Sequence, residues 1–334
     1  MKKKFNGYEV VHSDKFDDLK IDKDLPYPFT KEMLKLLKQE NKFEQEYYYI
    51  KKGEDFAFFT VYKNRMNIFT YGKAKLFLNI DVVGFPCSLS NSGYVTNNEK
   101  MLFDFITKMK GAKLILNVDK PNISKKYTIG NTLPTCVMKI DFKSIEEYLA
   151  SQRSSYRRRI NIAIENCKEI EICTINDNSI DVYELYLNTY NKSNYKLEKL
   201  EKGFFENVDA TKLVFMRDNK PIGFTLVKKS DNNLIFMLCG MDYNYDTTDL
   251  YYYMLYTIVD YALKNNCKTI DFGQTSEETK MKLGAVLQEK YFYAHHSNAL
   301  LNCIAQLGKN FLEYKYKFPN YRVFKEKKDE SITC

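Results

Sequence analysis

Three consecutive strand-like runs, followed by a long helix and one more strand, constrain the fold of this chain most. The runs Lys212–Arg217, Gly223–Lys229 and Leu234–Gly240 are rich in β-branched and aromatic residues and are separated by short polar turns. A helical pattern then spans Asp246–Asn266, and a β-prone run follows at Lys268–Phe272. A strand meander followed by a strand–helix–strand crossover predicts a mixed sheet covered by helices.

Further strand and helix patterns flank this unit. The other strand-like runs are 47–51, 56–62, 66–71, 76–83, 113–118, 135–141, 169–175 and 291–295. The other helical patterns are 30–42, 97–109, 143–167, 180–191, 275–283 and 298–313. Residues 119–133 are mostly polar and are expected to form a linker. The second half thus has the order β-α-β-α-βββ-α-β-α-β, and the first half repeats its ending.

Length and composition favour a two-domain protein with ordinary cores. A chain of 334 residues suits two domains, predicted here as 1–130 and 131–334. Its net charge of +8 permits an anionic ligand but selects none. No apolar run approaches the length of a membrane span, and no apolar segment follows the basic N-terminus. We therefore expect a cytoplasmic protein, while the oligomeric state stays open.

The cysteines and histidines indicate neither disulfides nor a metal site. Eight cysteines are scattered without any Cys-x-x-Cys pair, which is typical of reduced, buried thiols. The three histidines have no ligand spacing, so no metal is expected.

The segment Asp271–Ala285 is the strongest candidate for a functional site. It begins where a strand becomes a helix and contains Gly273, Gln274, Thr275 and Ser276 in succession. Such junctions expose backbone N–H groups and polar side chains at the carboxyl end of a strand, where open α/β sheets bind ligands. Thr275 and Glu278 also fit a Thr-x-x-Glu capping box, which alone explains part of the segment.

Two segments resemble the Gcn5-related N-acetyltransferase (GNAT) superfamily, and more narrowly its FemAB-like and BioF2-like acyltransferases. These are the basic helix segment Ser151–Ala163 and the stretch from Asp271 through Lys280 to Ala285. The resemblance covers about residues 135–300 well and 1–130 by topology alone. It implies an α/β (α+β) fold of tandem GNAT-like domains, each a mixed, mostly antiparallel sheet flanked by helices. The N-terminal domain would be a degenerate copy.

The resemblance assigns roles to several residues. Lys280 would lie near the acyl carbonyl or the donor phosphate, where an ammonium stabilises the developing oxyanion. Arg153 and Arg157 flank the apolar stripe of the basic helix and would reach a carboxylate or phosphate. Gly273, Gln274, Thr275 and Ser276 would help bind the donor. Tyr252, in a run of three tyrosines, is a candidate for stacking against the substrate.

The reaction also needs a base to accept a proton from the attacking amine. Asp242, Tyr243 and Asp271 follow or end strands on one side of the predicted sheet, and the sequence does not choose among them. For each of these residues an ordinary structural role is the alternative: most surface lysines and charged helix faces are simply solvated.

The chain departs from acetyl-CoA-dependent relatives at the loop that follows the fourth strand of those enzymes. Those enzymes carry a glycine-rich loop there, whose N–H groups cradle the pyrophosphate. Here the loop Gly240–Thr248 has one glycine, and its Asp242 and Asp246 would repel a pyrophosphate. The donor therefore stays open among acyl-CoA, an acyl-carrier-protein thioester and aminoacyl-tRNA.

We predict an acyltransferase that moves an acyl or aminoacyl group from an activated thioester or ester to a small-molecule or peptide amine. No tightly bound cofactor is expected, and the partners are an acyl-carrier protein or tRNA if either carries the donor. A first alternative is a non-catalytic GNAT-fold binding protein. A second is an aminoacyl-tRNA-dependent ligase acting on a cell-wall precursor or a peptide, which predicts salt-sensitive RNA binding.

Overall fold

A computed structural model describes residues 2–87, 89–119, 125–194, 196, 198–245 and 247–326. The chain forms two compact units, each assembled from separate segments. Unit 1 comprises residues 1–134, 193–208 and 288–316, and unit 2 comprises residues 135–192, 209–287 and 317–334.

Strands and helices are numbered along the whole chain. The strands are β1 (Lys2–Phe5), β2 (Tyr8–Ser13), β3 (Gln45–Lys52), β4 (Asp55–Asn67), β5 (Phe77–Val83), β6 (Tyr94–Thr96), β7 (Ala112–Val118), β8 (Thr128–Asn131), β9 (Thr135–Lys139), β10 (Glu171–Ile175), β11 (Thr211–Arg217), β12 (Lys220–Ser230), β13 (Asn233–Met241), β14 (Thr269–Asp271), β15 (Val286–Gln288) and β16 (Tyr291–His296). The helices are α1 (Lys31–Gln39), α2 (Glu99–Ile106), α3 (Ile145–Ser151), α4 (Ser154–Asn166), α5 (Tyr183–Lys192), α6 (Lys202–Asn207), α7 (Thr247–Lys264), α8 (Glu277–Lys282), α9 (Ala299–Leu307) and α10 (Lys309–Leu312).

Unit 1 contains a sheet in the order β1-β2-β3-β4-β5-β7-β16-β8, with β6 paired to β4. The pair β5–β7 is parallel, and the other described pairs are antiparallel. Strand residues and α2 supply one apolar core, in which Phe59, Leu102, Ile115 and Tyr293 are fully buried. Burial of such side chains from two layers is the main stabilising term of a domain of this kind.

Unit 2 contains a sheet in the order β10-β11-β12-β13-β14-β9-β15. Its centre is the predicted meander β11-β12-β13, followed by α7 and by β14, which pairs with β13 in parallel. On α7 the buried side chains Leu250, Met254, Ile258 and Ala262 recur every four residues and pack into the core of this unit. This spacing places one helix face on the sheet and explains why α7 forms where the sequence predicts it.

The predicted helix 143–167 is wrong in one respect, because the chain breaks it into α3 and α4. At the break, Arg153 N donates to Val323 O (2.8 Å) and Lys325 N donates to Ser151 O (2.8 Å). Gln152 and Phe324 form an antiparallel β-bridge. The backbone leaves the helix to pair with a segment about 170 residues later, which local periodicity cannot reveal.

Three other local predictions need correction. The predicted strand 291–295 is β16, but it pairs with β7 and β8 in the sheet of unit 1 and not in the second sheet. The predicted linker 119–133 contains β8, because Thr128–Asn131 pairs with β16. The predicted strands 56–62 and 66–71 are one continuous strand, β4, which ends at Asn67.

The predicted fold class is confirmed: both sheets are mixed, mostly antiparallel and flanked by helices. No helix in the described part of the chain has the length and apolarity that a membrane crossing needs. The cysteines of the described ranges are free thiols, and Cys334 lies outside them.

Candidate functional site

The candidate site lies in unit 2, where β13 and β14 separate. Only Asn233–Ile235 of β13 pairs with β14. Beyond these residues β13 continues to Met241, whereas β14 ends at Asp271 and the backbone turns away. Asp271 Oδ1 holds this turn by accepting hydrogen bonds from Gly273 N (2.8 Å) and Thr135 Oγ1 (2.6 Å). Two parallel strands that separate in this way leave a gap between their backbones.

The turn after β14 has an unusual backbone. Gly273, Thr275 and Ser276 have φ angles of 69°, 62° and 51°. Left-handed backbone at a residue with a Cβ costs about 1–2 kcal/mol and is concentrated at functional sites. The predicted capping box of Thr275 and Glu278 is wrong: Ser276 is the N-cap residue of α8, and no side chain caps this end. A capping side chain needs an extended backbone, which neither Thr275 nor Ser276 adopts.

Lys280 points from α8 back to this turn and is only 2% exposed. Its Nζ donates to the carbonyl oxygens of Gln274 (2.8 Å) and Gly273 (3.3 Å). The Nζ atom also lies 5.8 Å from the centre of the Phe236 ring on β13. Lys280 therefore lies beside the junction, as the sequence predicts. The structure adds that its side chain is buried there and not on the surface.

Burial dominates the electrostatics around Lys280. Burial lowers the pKa of Lys280, while nearby Cys136, Cys239, Glu277 and Asp271 act in the opposite direction. Burial also raises the pKa of Cys136 to about 12 and that of Cys239 to about 11, and in both cases Lys280 opposes the shift. The site therefore groups one buried amine with two protonated thiols and two carboxyl groups.

Glu277 is the least satisfied member of this group. Its side chain is buried, with 7% of the residue exposed, and its Oε1 has no hydrogen-bond partner among the described residues. A buried carboxylate oxygen without a partner is costly, so its presence calls for a functional explanation.

The tyrosine run at the start of α7 divides between two sites. Tyr251 approaches the turn: burial raises its pKa, and the nearby Ser276 side chain acts in the opposite direction. Tyr252, the predicted stacking residue, instead lies under the guanidinium of Arg159, whose Cζ is 4.1 Å from the ring centre. Arg159 also pairs with Asp249 at 2.7 Å. Tyr252 is thus occupied by a neighbour within its own unit.

The loop after β13 has no free cradle for a pyrophosphate in its described part. Met241 N donates to Thr189 Oγ1, Asp242 N donates to Ile222 O, and Asn244 N donates to Asp242 Oδ1. Each of these N–H groups is therefore already engaged within the protein, which agrees with the loss of glycines from this loop. The second predicted acidic residue, Asp246, lies outside the described residues.

Two predicted base candidates lie in this loop. Asp242 closes a local turn through Asn244, and Tyr243 OH donates to Thr189 Oγ1 (3.3 Å). Burial raises the pKa of Tyr243, so its hydroxyl stays protonated at neutral pH. Lys192 Nζ lies 3.8 Å from the centre of the same ring. The protonated hydroxyl of Tyr243 is therefore a poor proton acceptor.

The predicted arginines lie at the break between α3 and α4. Arg153 Nε donates to Phe324 O (3.3 Å), and its guanidinium is 3.7 Å from Glu326. Arg157 donates to Gln152 O (3.4 Å) and lines an open groove of about 460 Å³ together with Arg158. The structure gives both predicted arginines local partners, and their role in binding a donor stays a prediction.

The structure thus brings together Asp271, Gly273, Gln274, Ser276 and Lys280. Sequence reasoning missed four neighbours of this group: Cys136, Cys239, Tyr251 and Glu277. Glu277 was adjacent to the predicted capping residue and Tyr251 to the predicted stacking residue. The signal that separates Glu277 from the exposed Glu278 is burial, and a single sequence does not show which side of a six-residue helix is buried.

The stretch that holds this site matches a known family model. Residues 150–281, which include Lys280, match the model described as "Acetyltransferase (GNAT) domain". This stretch is a GNAT domain. The resemblance to the GNAT superfamily, predicted from Ser151–Ala163 and from the Lys280 segment, is thereby confirmed. No curated protein matches the chain.

Solved structures show how far the GNAT fold extends. A tandem GNAT protein from the clavulanic acid biosynthesis pathway is similar at a TM-score of 0.51 and 8% identity, covering 87% of this chain and 99% of that one. The C-terminal domain of an Agrobacterium fabrum protein, named as a lysylphosphatidylglycerol synthetase, is similar at 0.50 and 10% identity, covering 77% and 85%. FemX is similar at a TM-score of 0.47 and 14% identity, covering 82% of this chain and 92% of FemX. The likeness to the tandem protein confirms the predicted tandem GNAT fold.

Proposed function

We propose that this protein is an N-acyltransferase that moves an acyl or aminoacyl group from a thioester or ester donor to an amine. The observation that carries this proposal is the buried Lys280 beside the separation of β13 and β14, inside the GNAT domain. An ammonium has three N–H donors, and the carbonyls of Gly273 and Gln274 accept from two of them. The third donor is available to the acyl oxygen as negative charge develops there.

The two thiols near Lys280 support direct attack by the acceptor amine. A thiol reacts as its thiolate, and pKa values of about 12 for Cys136 and about 11 for Cys239 keep both protonated at neutral pH. In direct transfer, the amine nitrogen bonds to the acyl carbon and the bond from that carbon to sulfur or oxygen breaks. The nitrogen loses one proton, and the leaving thiolate or alkoxide gains one.

Glu277 joins the predicted candidates for the base, which are Asp242, Tyr243 and Asp271. We assign the proton-accepting role to Glu277. Glu277 has an unpartnered carboxylate oxygen, whereas Asp271 already holds the turn after β14. Tyr243 is less suited to proton transfer, because its raised pKa makes it a weak acid and its hydroxyl already donates to Thr189. In this scheme Glu277 accepts the proton that the amine loses and passes it to the leaving group.

The donor proposed first is an aminoacyl ester or a carrier-protein thioester. The engaged N–H groups of Met241, Asp242 and Asn244 favour a donor that needs no pyrophosphate cradle at this loop. The name of the Agrobacterium fabrum domain refers to lysyl transfer, which agrees with an aminoacyl donor. The same loop also suits the alternative, a GNAT-fold binding protein without catalysis.

A donor panel separates these functions. The purified protein is incubated with a mixture of amines and, in separate reactions, with acetyl-CoA, a longer acyl-CoA, an acyl-carrier-protein thioester and aminoacyl-tRNA. Transfer is followed by mass spectrometry and binding by thermal shift. We expect transfer from at least one donor. Thermal stabilisation without transfer would support the binding protein. The absence of both transfer and stabilisation would refute the enzyme hypothesis.

A matched pair of variants on α8 tests the base. Glu277→Gln should lower the transfer rate by about 10²–10⁴. Glu278→Gln is the control, since Glu278 is exposed and pairs with Lys282 at 2.8 Å. Equal rates for the two variants would remove Glu277 from the mechanism.

A further inference from the structure

The helix pair α9–α10 presents its apolar side chains to solvent. The two helices contain no buried residue, and Leu300, Leu307 and Phe311 are 69%, 81% and 73% exposed. Leu301 and Ile304 are about half exposed. At 100° per residue, the four aliphatic side chains of α9 fall within about 60° of Ile304. We call these five residues the α9–α10 face.

The polar side of α9 is turned inward. Gln306 Nε2 donates to Lys125 O (2.9 Å), and Asn302 Nδ2 donates to Lys126 O (3.1 Å). Asn302 Oδ1 also accepts a hydrogen bond from His296 N (3.0 Å). A surface helix of a globular protein normally buries its apolar stripe, and α9 has the opposite orientation. A contiguous exposed apolar surface of this kind marks a site of interaction.

The charges around the α9–α10 face are mainly positive. Lys309 begins α10 and Lys315 follows it, and both are exposed. Lys125, whose carbonyl anchors α9, is also exposed. Glu313 is the single acidic residue between positions 298 and 316 of the sequence. An apolar stripe with flanking lysines is the pattern by which helices bind the surface of an anionic bilayer.

We propose that the α9–α10 face docks this protein on the surface of an anionic lipid bilayer. The apolar side chains would enter the boundary between headgroups and acyl chains, and the lysines would lie near lipid phosphates. A second copy of the chain fits less well, because a twofold contact through this face would bring the same lysines together. The inference uses no residue of the candidate acyl-transfer site and holds whether or not the protein is an enzyme.

The absence of tryptophan from the chain makes a direct test simple. In Leu307→Trp the new indole is the sole tryptophan, and its emission reports on the α9–α10 face. The protein is mixed with vesicles of phosphatidylcholine alone, or of equal parts phosphatidylglycerol and phosphatidylcholine. We expect a blue shift with the anionic vesicles that weakens in high salt. Ile172→Trp, an exposed position on β10, is the control and should not shift.

Two further variants probe the proposed contacts. Adding Ile304→Glu to the reporter protein should weaken vesicle binding by at least tenfold, since it places a charge at the centre of the face. Adding Lys309→Gln should weaken binding to anionic vesicles about fivefold. Both positions are exposed, so circular dichroism should be unchanged. No shift with either vesicle would overturn the proposal. A blue shift without vesicles would also overturn it, if that shift grows with protein concentration and the measured mass doubles. These two results together would indicate self-association.

Discussion

Replacing Lys280 by methionine tests the central residue of the proposed mechanism. Methionine keeps an unbranched, flexible side chain of similar length and removes the ammonium. If the third N–H of Lys280 stabilises the developing oxyanion, the variant should lose about 10²–10³ in transfer rate, or about 2.7–4 kcal/mol of transition-state stabilisation. This loss should appear in the rate of the chemical step, because the interaction strengthens only as charge develops.

The stability of the variant separates catalysis from folding. Removing the amine leaves the buried carbonyls of Gly273 and Gln274 without their donor, at about 1–3 kcal/mol each. It also removes the desolvation cost of a buried ammonium, which is several kcal/mol of opposite sign. We therefore expect the free energy of unfolding to change by less than about 2 kcal/mol while the rate falls sharply.

The assay is single-turnover transfer with the donor that the panel identifies. Lys282→Met is the matched control: Lys282 lies two positions further along on the same helix, is more exposed and forms an i,i+4 pair with Glu278. Such a pair contributes only about 0.3–0.5 kcal/mol. If Lys280→Met transfers within a factor of about three of wild type, or loses activity only in proportion to its unfolded fraction, the oxyanion role is refuted.

Three further predictions concern unit 2. Burial lowers the pKa of Lys280 in the folded protein below 10.5, its ordinary value. Between the folded and the unfolded pKa, the unfolded chain binds more protons than the folded one. The free energy of unfolding should therefore rise with pH in that range. Denaturant titrations should show this rise in wild type and not in Lys280→Met; equal slopes would contradict it. Tyr148→Phe removes the buried hydroxyl that donates to Leu283 O (2.7 Å) and should lower the unfolding free energy by about 1–3 kcal/mol, so an unchanged thermal midpoint would count against this bond. Gly240→Ala would place a Cβ 2.4 Å from the backbone of Leu185 and should cost about 1–3 kcal/mol or more by the same measurement, whereas a neutral result would mean that α5 yields freely.

The parts of the fold that the sequence predicted well are those set by neighbouring residues. The meander β11-β12-β13 and the helix α7 follow from strand propensity, polar turns and a four-residue apolar spacing. The break at Gln152 and the place of β16 depend on residues 150 or more positions away, and no local pattern carries that information.

The candidate site shows the same division. Lys280 and Asp271 were found because a strand-to-helix junction and a family resemblance both point to that segment. Glu277 and the two thiols were missed because their relevance arises from their positions around one buried amine, and Tyr251 because it approaches Ser276. The backbone of Thr275 and Ser276 could not be predicted either, since residues with a Cβ seldom adopt positive φ.

The position of β16 has a consequence for biosynthesis. In the finished sheet this strand lies between β7 and β8, so β8 has no neighbour until β16 is made. The ribosome adds about 160 residues between the two strands, which takes roughly 8–30 s at bacterial and eukaryotic rates. Throughout that interval the nascent N-terminal sheet exposes open edges on which other chains can pair. Residues 150–281, the GNAT domain, are synthesised within this waiting period, so synthesis of the N-terminal unit begins before that stretch and ends after it.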